Sequence, residues 1–438
     1  MSLALTRAEH HQELSITRTD CIGADCIGAG TSIEAATSLE WRSAPQNGDL
    51  LHESHSFCPF VSLMVRFLHT ADLQIGKPFN WASGRAQSKL QEAREEVIGR
   101  LGEVASEREA EFMLIAGDFF DENTVSDDVV ARTCQRLSAI EVPVYVLPGN
   151  HDFSGSPSSV YRRDLFQGQK PDHVHVLTER EPVIVSQAGK EEAAILPAPV
   201  ERRNERGDPT AHIDSDFGPE DTIRIGLAHG GVEDFGEGEA SSRIDPNRAQ
   251  EARLGYLALG DWHGTKKVGE RTWYSGTPEP DSFKQNAPGN VLVVEIEESG
   301  AVPDVEKVST GAQNWLRKEA MLQGPEDLEA LERWFKSIED PLSVLVRLEL
   351  GGGLGLEAMS ALEFLKEQLE NVVLEVRHRG EVRPRASDEE LKQIASDGYV
   401  GETVEELREI SETGGEDVEA ADRALQLLYQ FHREQEAV

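Results

Sequence analysis

The chain of 438 residues carries a formal net charge of −37, from 80 acidic and 43 basic residues, and is 38% hydrophobic and 28% charged. That length allows two or three domains around a large core, and the acid excess excludes a globally basic nucleic-acid binder, although divalent cations or a local basic patch can still hold phosphates on such a surface. No stretch approaches the ~18 consecutive apolar residues of a membrane helix, no signal peptide opens the chain, and Cys21, Cys26, Cys58 and Cys134 form no disulfide framework, so the expectation is a cytoplasmic protein without a membrane partner.

Residues 1–63 are polar and without periodicity, and read as a disordered or mis-started extension, with Met64 directly before the first strand. From there the pattern alternates. Apolar Leu90, Ala93, Val97, Leu101 and Val104 predict a helix over Ser88–Glu109. Phe112–Ala116 reads as a buried strand, Asp127–Ile140 as a helix and Val142–Leu147 as a strand. Short strands follow near Val174–Leu177, Val183–Val185 and Ala193–Leu196, then a polar loop over 201–221. Ile223–Ala228, Tyr256–Leu259, Trp273–Ser275 and Val291–Ile296 complete a domain over 64–309, and 230–242 is a Gly- and Glu-rich loop. Strands in such number between helices predict an α/β fold with two packed sheets. Beyond Thr310 the character changes. Residues 310–386 read as a small α/β module: an amphipathic helix with Leu328, Leu331, Trp334, Phe335 and Ile338, a strand over Leu342–Leu350, a helix over Leu356–Leu369 and a strand over Val372–Arg377. Residues 387–438 hold three helical segments, over 388–396, 402–412 and 417–434, the last with an apolar stripe suited to the core or to a partner.

Five of the strands end alike. Val65, Phe67 and Leu68 lead into Asp72; Ile115-Ala116-Gly117 into Asp118; Leu147-Pro148-Gly149 into Asn150-His151-Asp152; Leu227-Ala228 into His229-Gly230; and Leu259-Gly260 into Asp261-Trp262-His263. Ligands of open α/β sheets bind beyond the carboxyl ends of the strands. Any one of these is an ordinary turn or a structural histidine; five in order, carrying carboxylates, an amide and imidazoles, point to a metal centre. That donor mixture suits Mn²⁺ or Fe²⁺, with Zn²⁺ as an alternative, and is not a thiolate site.

The order Asp72, Gly117-Asp118-x-x-Asp121, Gly149-Asn150-His151-Asp152, His229-Gly230, Gly260-x-x-His263 resembles the calcineurin-like metallophosphoesterases. Within them, LHTADLQIGKPF, GDFFDENTVSD, LPGNHD and YSGTPEPDSF resemble SbcD-type DNA repair exonucleases, over roughly 64–300. The resemblance implies a four-layer α/β/β/α sandwich with a small C-terminal α/β cap and C-terminal helices. It implies two divalent ions, Mn²⁺ first, with Mg²⁺, Fe²⁺ or Zn²⁺ as alternatives. Asp72 and His263 would hold the first metal, Asp118 would bridge, Asn150 and His229 would hold the second, and His151 would protonate the leaving oxygen, tuned by Asp152. Gln74 and Asp261 stand where the pattern has His; both can coordinate, and both favour harder ions.

The resemblance further implies DNA as substrate, an SbcC-like coiled-coil ATPase as partner and a homodimer. Lys266 and Lys267 near the metal motifs, and Arg377, Arg379, Arg383 and Arg385 at the end of the small module, are the candidates for holding DNA. The rival readings are a phosphoesterase of a small nucleotide or cyclic nucleotide, and a non-catalytic subunit that binds DNA ends or the ATPase.

Overall fold

The computed structural model describes residues 64–187, 190–232, 243–284, 286–384 and 398–413, with scattered positions between 417 and 431. The N-terminal extension, the helix expected over 388–396, much of the one over 417–434 and Arg385 lie outside the described residues.

β1 (Val65–Thr70), β2 (Phe112–Ala116), β3 (Val144–Leu147) and β4 (Val174–Val176) run parallel and side by side, with β11 (Asn290–Ile296) and β12 (Asp304–Ser309) added antiparallel on the β1 edge. A second six-stranded sheet has the order β5 (Val183–Gln187), β6 (Lys190–Ala198), β7 (Ile223–His229), β8 (Tyr256–Gly260), β10 (Thr272–Tyr274), β9 (Lys266–Lys267). Alternation along β1 sorts its side chains. Val65 and Phe67 join Phe112, Leu114, Ile225 and Tyr256 in the core between the sheets. Leu68 faces the other way, among Val97, Leu101, Val130 and Leu137 of the helices, as a period of two requires.

Those helices are α1 (Gly84–Glu107), α2 (Asp127–Leu137) and α3 (Asp164–Gln169). α1 starts four residues earlier than its apolar stripe suggests, because the Ser83 hydroxyl accepts from the Ala86 N–H and caps the first turn. Ser126 caps α2 in the same way. Over the outer face of the second sheet, the expected helical layer is, among the described residues, the single short α4 (Arg248–Glu251) with loop residues such as Ile213 and Ile244 filling the core. Two packed sheets flanked by helices are the α/β architecture expected. Among the described residues no helix is long and apolar enough to cross a membrane.

Beyond Thr310, β13 (Asn314–Leu322), β14 (Val344–Leu354) and β15 (Glu375–Arg379) pair in parallel, with β16 (Arg383–Pro384) on the end of β14. α5 (Pro325–Lys336) and α6 (Leu356–Val372) supply Leu328, Leu331, Leu362 and Leu369 to a core of their own. A smaller cluster, Phe79, Ala86 and Leu90 against Leu345 and Leu374, joins this module to the start of α1. α7 (Gly398–Thr413) follows.

His69, fully buried between the sheets, lies with its Nδ1 2.9 Å from the Tyr256 hydroxyl. Burial pushes its pKa down to about 3. The unfolded chain therefore binds this proton first, and stability falls as pH drops below about 6.5, by up to ~1.4 kcal/mol per pH unit until the folded pKa is reached. Denaturant melts at pH 7 and 5 should show His69→Asn, which cannot titrate, losing about 2 kcal/mol less than the wild type over that interval; parallel losses in the two proteins would remove this assignment.

Candidate metal centre

The loops after β1, β2, β3, β7 and β8 meet at one edge of the paired sheets. The first two are laced together by backbone bonds: Asp72 N–H to Gly117 O (3.1 Å), Gln74 N–H to Asp118 O (2.9 Å) and Ile75 N–H to Phe119 O (2.9 Å). Asp72, Gln74, Asp118 and Asp261 all have positive φ, at 54°, 45°, 51° and 99°. For residues other than glycine this is a strained backbone that persists where its surroundings over-determine it, and such residues cluster at functional sites. Gly149 is required by closeness of a different kind: a Cβ there would stand 2.2 Å from Asp118 Oδ1.

Asp72, Asp118 and His229, all buried, offer ligand atoms within 4.8 Å of one another. Burial pushes the Asp72 carboxyl up to about 6, against the pull of His263 and His229. Burial acts on Asp118 in the same sense, but the neighbouring His229, and then His151, outweigh it and bring Asp118 down to about 2. His229 Nδ1 is 2.9 Å from the Ala116 carbonyl, which fixes Nδ1 as the donor and leaves Nε2 facing Asp118 Oδ2 at 3.5 Å. Buried Nε2 of His229 and buried Oδ1 of Asn150 have no hydrogen-bond partner. A buried lone pair without a partner is costly, and two beside two carboxylates are what a cation would satisfy. The residues present fit a divalent metal.

The other expected residues are placed less simply. His151 donates its backbone N–H to Asp118 Oδ1 (2.9 Å), and its ring Nδ1 lies 2.8 Å from the Asp121 carbonyl. Asp152 is not the group that tunes it. Its carboxylate is fully buried and accepts from Gly149 N–H (2.7 Å), Phe120 N–H (3.0 Å) and the Tyr161 hydroxyl, tying the third loop to the second. Burial, and then the Asp118 charge, push Asp152 up to about 6. Asp152→Asn exchanges one acceptor oxygen for an N–H that faces donors, at a cost of about 2 kcal/mol. A lowered melting temperature with turnover kept within about tenfold of wild type, well below the melt, is the expected pattern for a buttress rather than a proton-transfer group; full stability with lost turnover would return it to the chemistry. The Asp261 backbone N–H lies 3.2 Å from both oxygens of Asp72, and its own Oδ1 is 3.9 Å from His229 Nε2. His263 Nδ1 is 2.9 Å from Asp281 Oδ2. Burial opposes a charge on His263, but Asp281 and then Asp72 more than offset it and raise its pKa.

Residues that carry no ligand pattern complete the edge. Arg94, 1% exposed, donates to the backbone carbonyls of Asp72, Leu73 and Glu279 and lies 3.8 Å from Asp281. An arginine in the apolar stripe of α1, four residues after Leu90, is the signal that could have found it. Asp281 sits in YSGTPEPDSF, and nothing in its spacing marks it as the partner of His263.

Three of the basic candidates have neighbours of their own. Lys267 lies over the Trp273 ring at 5.2 Å, Arg377 over the Trp81 ring at 4.7 Å, and Arg383 is 3.6 Å from Glu381. Lys266 is half-buried in β9, and Arg379 is exposed at the end of β15, where its register partner is Glu349.

Residues 65–235 match the family model described as calcineurin-like phosphoesterase. The matched stretch takes in Asp72, Asp118, Asn150, His151 and His229 and stops before Asp261 and His263. An uncharacterized metallophosphoesterase of Bacillus subtilis strain 168, YhaO, is 27% identical over 124 residues, which is 27% of this chain and 29% of that protein. Among solved structures, TT1561 of Thermus thermophilus aligns with 12% identity over 56% of this chain and 99% of its own, at a TM-score of 0.36. The purple acid phosphatase PPD1 of yellow lupin seeds aligns with 14% identity over 56% of this chain and 54% of its own, at 0.33. A dimetal phosphatase from Danio rerio aligns with 12% identity over 56% and 99%, at 0.32.

Proposed function

We propose that this calcineurin-like chain is a metal-dependent phosphodiesterase that degrades DNA from its ends, as the nuclease partner of a coiled-coil ATPase in the cytoplasm. The observation that carries the hydrolase is His229 Nε2, buried and unpartnered beside the carboxylates of Asp72 and Asp118; Asn150 Oδ1, in the loop after β3, is buried and unpartnered as well. Support for DNA comes from the stretches around Asp72, Asp118, His151 and Asp281, which resemble SbcD-type exonucleases, and from the module packed against the start of α1. Exposed Tyr399 and Ile410 on α7, and Phe431 after it, suit a docking helix for the ATPase.

Divalent ions, Mn²⁺ first and two in number, would polarise the phosphodiester and supply hydroxide at neutral pH. Asp72, Asp118, Asn150 and His229 would hold them, with Asp261 and His263 at the flank. His151 keeps Nδ1 on the Asp121 carbonyl, so Nε2 is the atom that can carry a proton to the departing oxygen.

The test is Mn²⁺-dependent degradation of linear double- and single-stranded DNA, with bis-p-nitrophenyl phosphate and nucleoside monophosphates alongside. Shortening of DNA from its ends, lost with chelator and in His151→Ala, is expected. Hydrolysis of the small esters alone would favour a small-substrate phosphoesterase, and inactivity on every substrate would favour a binding subunit.

A further inference from the structure

We infer that Lys77 is a positioning residue that holds Gln74 out of metal coordination and so makes the two sides of the centre unequal. The inference rests on the metallophosphoesterase reading and concerns what this chain does at the position where the family pattern has a histidine.

Lys77 Nζ donates to Gln74 Oε1 and to Asp281 Oδ2, both at 2.6 Å. Gln74 Nε2 lies 3.4 Å from His263 Nε2, and His263 Nδ1 lies 2.9 Å from Asp281 Oδ2. The four side chains therefore close a ring: ammonium to amide oxygen, amide nitrogen to imidazole, imidazole to carboxylate, carboxylate back to ammonium. The ring fixes which way the amide points. An ammonium has only donors, so turning the amide over would set donor against donor. Gln74 accordingly gives its oxygen to Lys77 and presents N–H, which cannot ligate a cation, towards His263. The chain is bent to make this so. Gln74 has φ 45°, Gly76 has φ 91°, and the Lys77 N–H returns to the Gln74 carbonyl at 3.2 Å, which brings the lysine back over the glutamine. Asp281, with a side chain 5% exposed, is held by Arg94 at 3.8 Å as well as by Lys77, so the ring is anchored from below.

The groups around Asn150 and His229 differ in kind. There, His229 Nε2 and Asn150 Oδ1 are buried and unsatisfied, whereas the polar atoms of Gln74 and His263 have found one another. A cation entering beside Asn150 and His229 displaces no hydrogen bond. One entering beside Gln74 and His263 must take an oxygen from an ammonium, a charge-assisted bond, and meets that ammonium's own charge. One ion binds tightly and the second weakly, and Lys77 sets the difference.

Mn²⁺ binding counted by titration calorimetry and by electron paramagnetic resonance tests this without reference to turnover, on the wild type and the near-isosteric variants Gln74→Met, Lys77→Met and their double, each checked for a wild-type melting profile. The wild type should hold one ion tightly and a second at least about tenfold more weakly. Gln74→Met should weaken neither ion. Lys77→Met should tighten the second ion about tenfold, and adding Gln74→Met in that background should take back part of the gain, a coupling that removal of one charge alone would not produce. Two equally tight ions in the wild type, or about tenfold weaker binding in Gln74→Met alone, would overturn the inference and make Gln74 a ligand while leaving the hydrolase reading intact. No bound Mn²⁺ in any of the four proteins would instead overturn the metal-dependent reading, and the inference with it.

Discussion

Asp118→Asn should leave the chain folded, abolish Mn²⁺-dependent phosphodiester hydrolysis and remove most of the bound metal. Asp118 is the carboxylate that faces both imidazoles, with Oδ2 at 3.5 Å from His229 Nε2 and 3.9 Å from His151 Nε2, while Oδ1 accepts the His151 backbone N–H. An amide at this position keeps the shape and one acceptor but loses the charge. Its N–H would then point either at His229 Nε2 or at the His151 donor, and neither arrangement offers a cation an anionic oxygen. A loss of at least ~10³-fold in kcat/KM, equivalent to ~4 kcal/mol, is expected with bis-p-nitrophenyl phosphate as substrate. Thermal melting supplies a second readout. Saturating metal at about 100 times its dissociation constant should stabilise the wild type by ~2.7 kcal/mol, and the variant by little. Retained turnover above about a tenth of wild type, with full metal content, would show that Asp118 is not a ligand.

The strand ends that build this edge were readable in the sequence for a local reason. Each is an apolar run that stops at a residue able to hold a left-handed or tightly turned backbone, and Asp72, Asp118 and Asp261 do so with φ of 54°, 51° and 99°. Burial and donor type are likewise local, so His229 on β7 and Asn150 after β3 could be named from their neighbours. The relations between side chains were not local. Asp281 meets His263 from 18 residues away and Lys77 from 204, and no periodicity encodes such a pair. Asp152 looks like a partner of its neighbour His151, but its carboxylate is turned to two backbone N–H groups and a tyrosine, and the His151 ring rests on the Asp121 carbonyl instead. β13 escaped because it is a strand at one end of its sheet with most side chains outside the core, and its residue types, Asn-Trp-Leu-Arg-Lys-Glu-Ala-Met-Leu, do not alternate although their burial does. β14 was cut short at Leu350 because Gly351-Gly352-Gly353 reads as a breaker, whereas the parallel pairing of Gly351 and Gly352 with β13 carries the strand through.

Gly117→Ala should be strongly damaging to the fold and to the centre together. At φ 91° the position is costly for any L side chain, and the added Cβ would stand 2.1 Å from His229 Nδ1 and 2.5 Å from its Cγ. The imidazole cannot yield cheaply. It is 1% exposed, its Nδ1 is held by the Ala116 carbonyl, and it lies at the end of a fully buried strand. Backbone strain of ~1–3 kcal/mol and overpacking of a similar size act together, so a destabilisation of about 3 kcal/mol is expected by chemical denaturation, accompanied by weaker Mn²⁺ binding because His229 is the group displaced. Gly99→Ala supplies the control within the same layer. That glycine is exposed in the middle of α1, and an added Cβ would meet nothing within 4 Å. The same chemical change there should stabilise by up to ~1 kcal/mol, since alanine is the better helix former. Opposite signs in the two variants would tie the cost at position 117 to the approach of His229, whereas equal stability would mean that the β2 loop can move away from His229 and that the centre is less closely fitted than these contacts require.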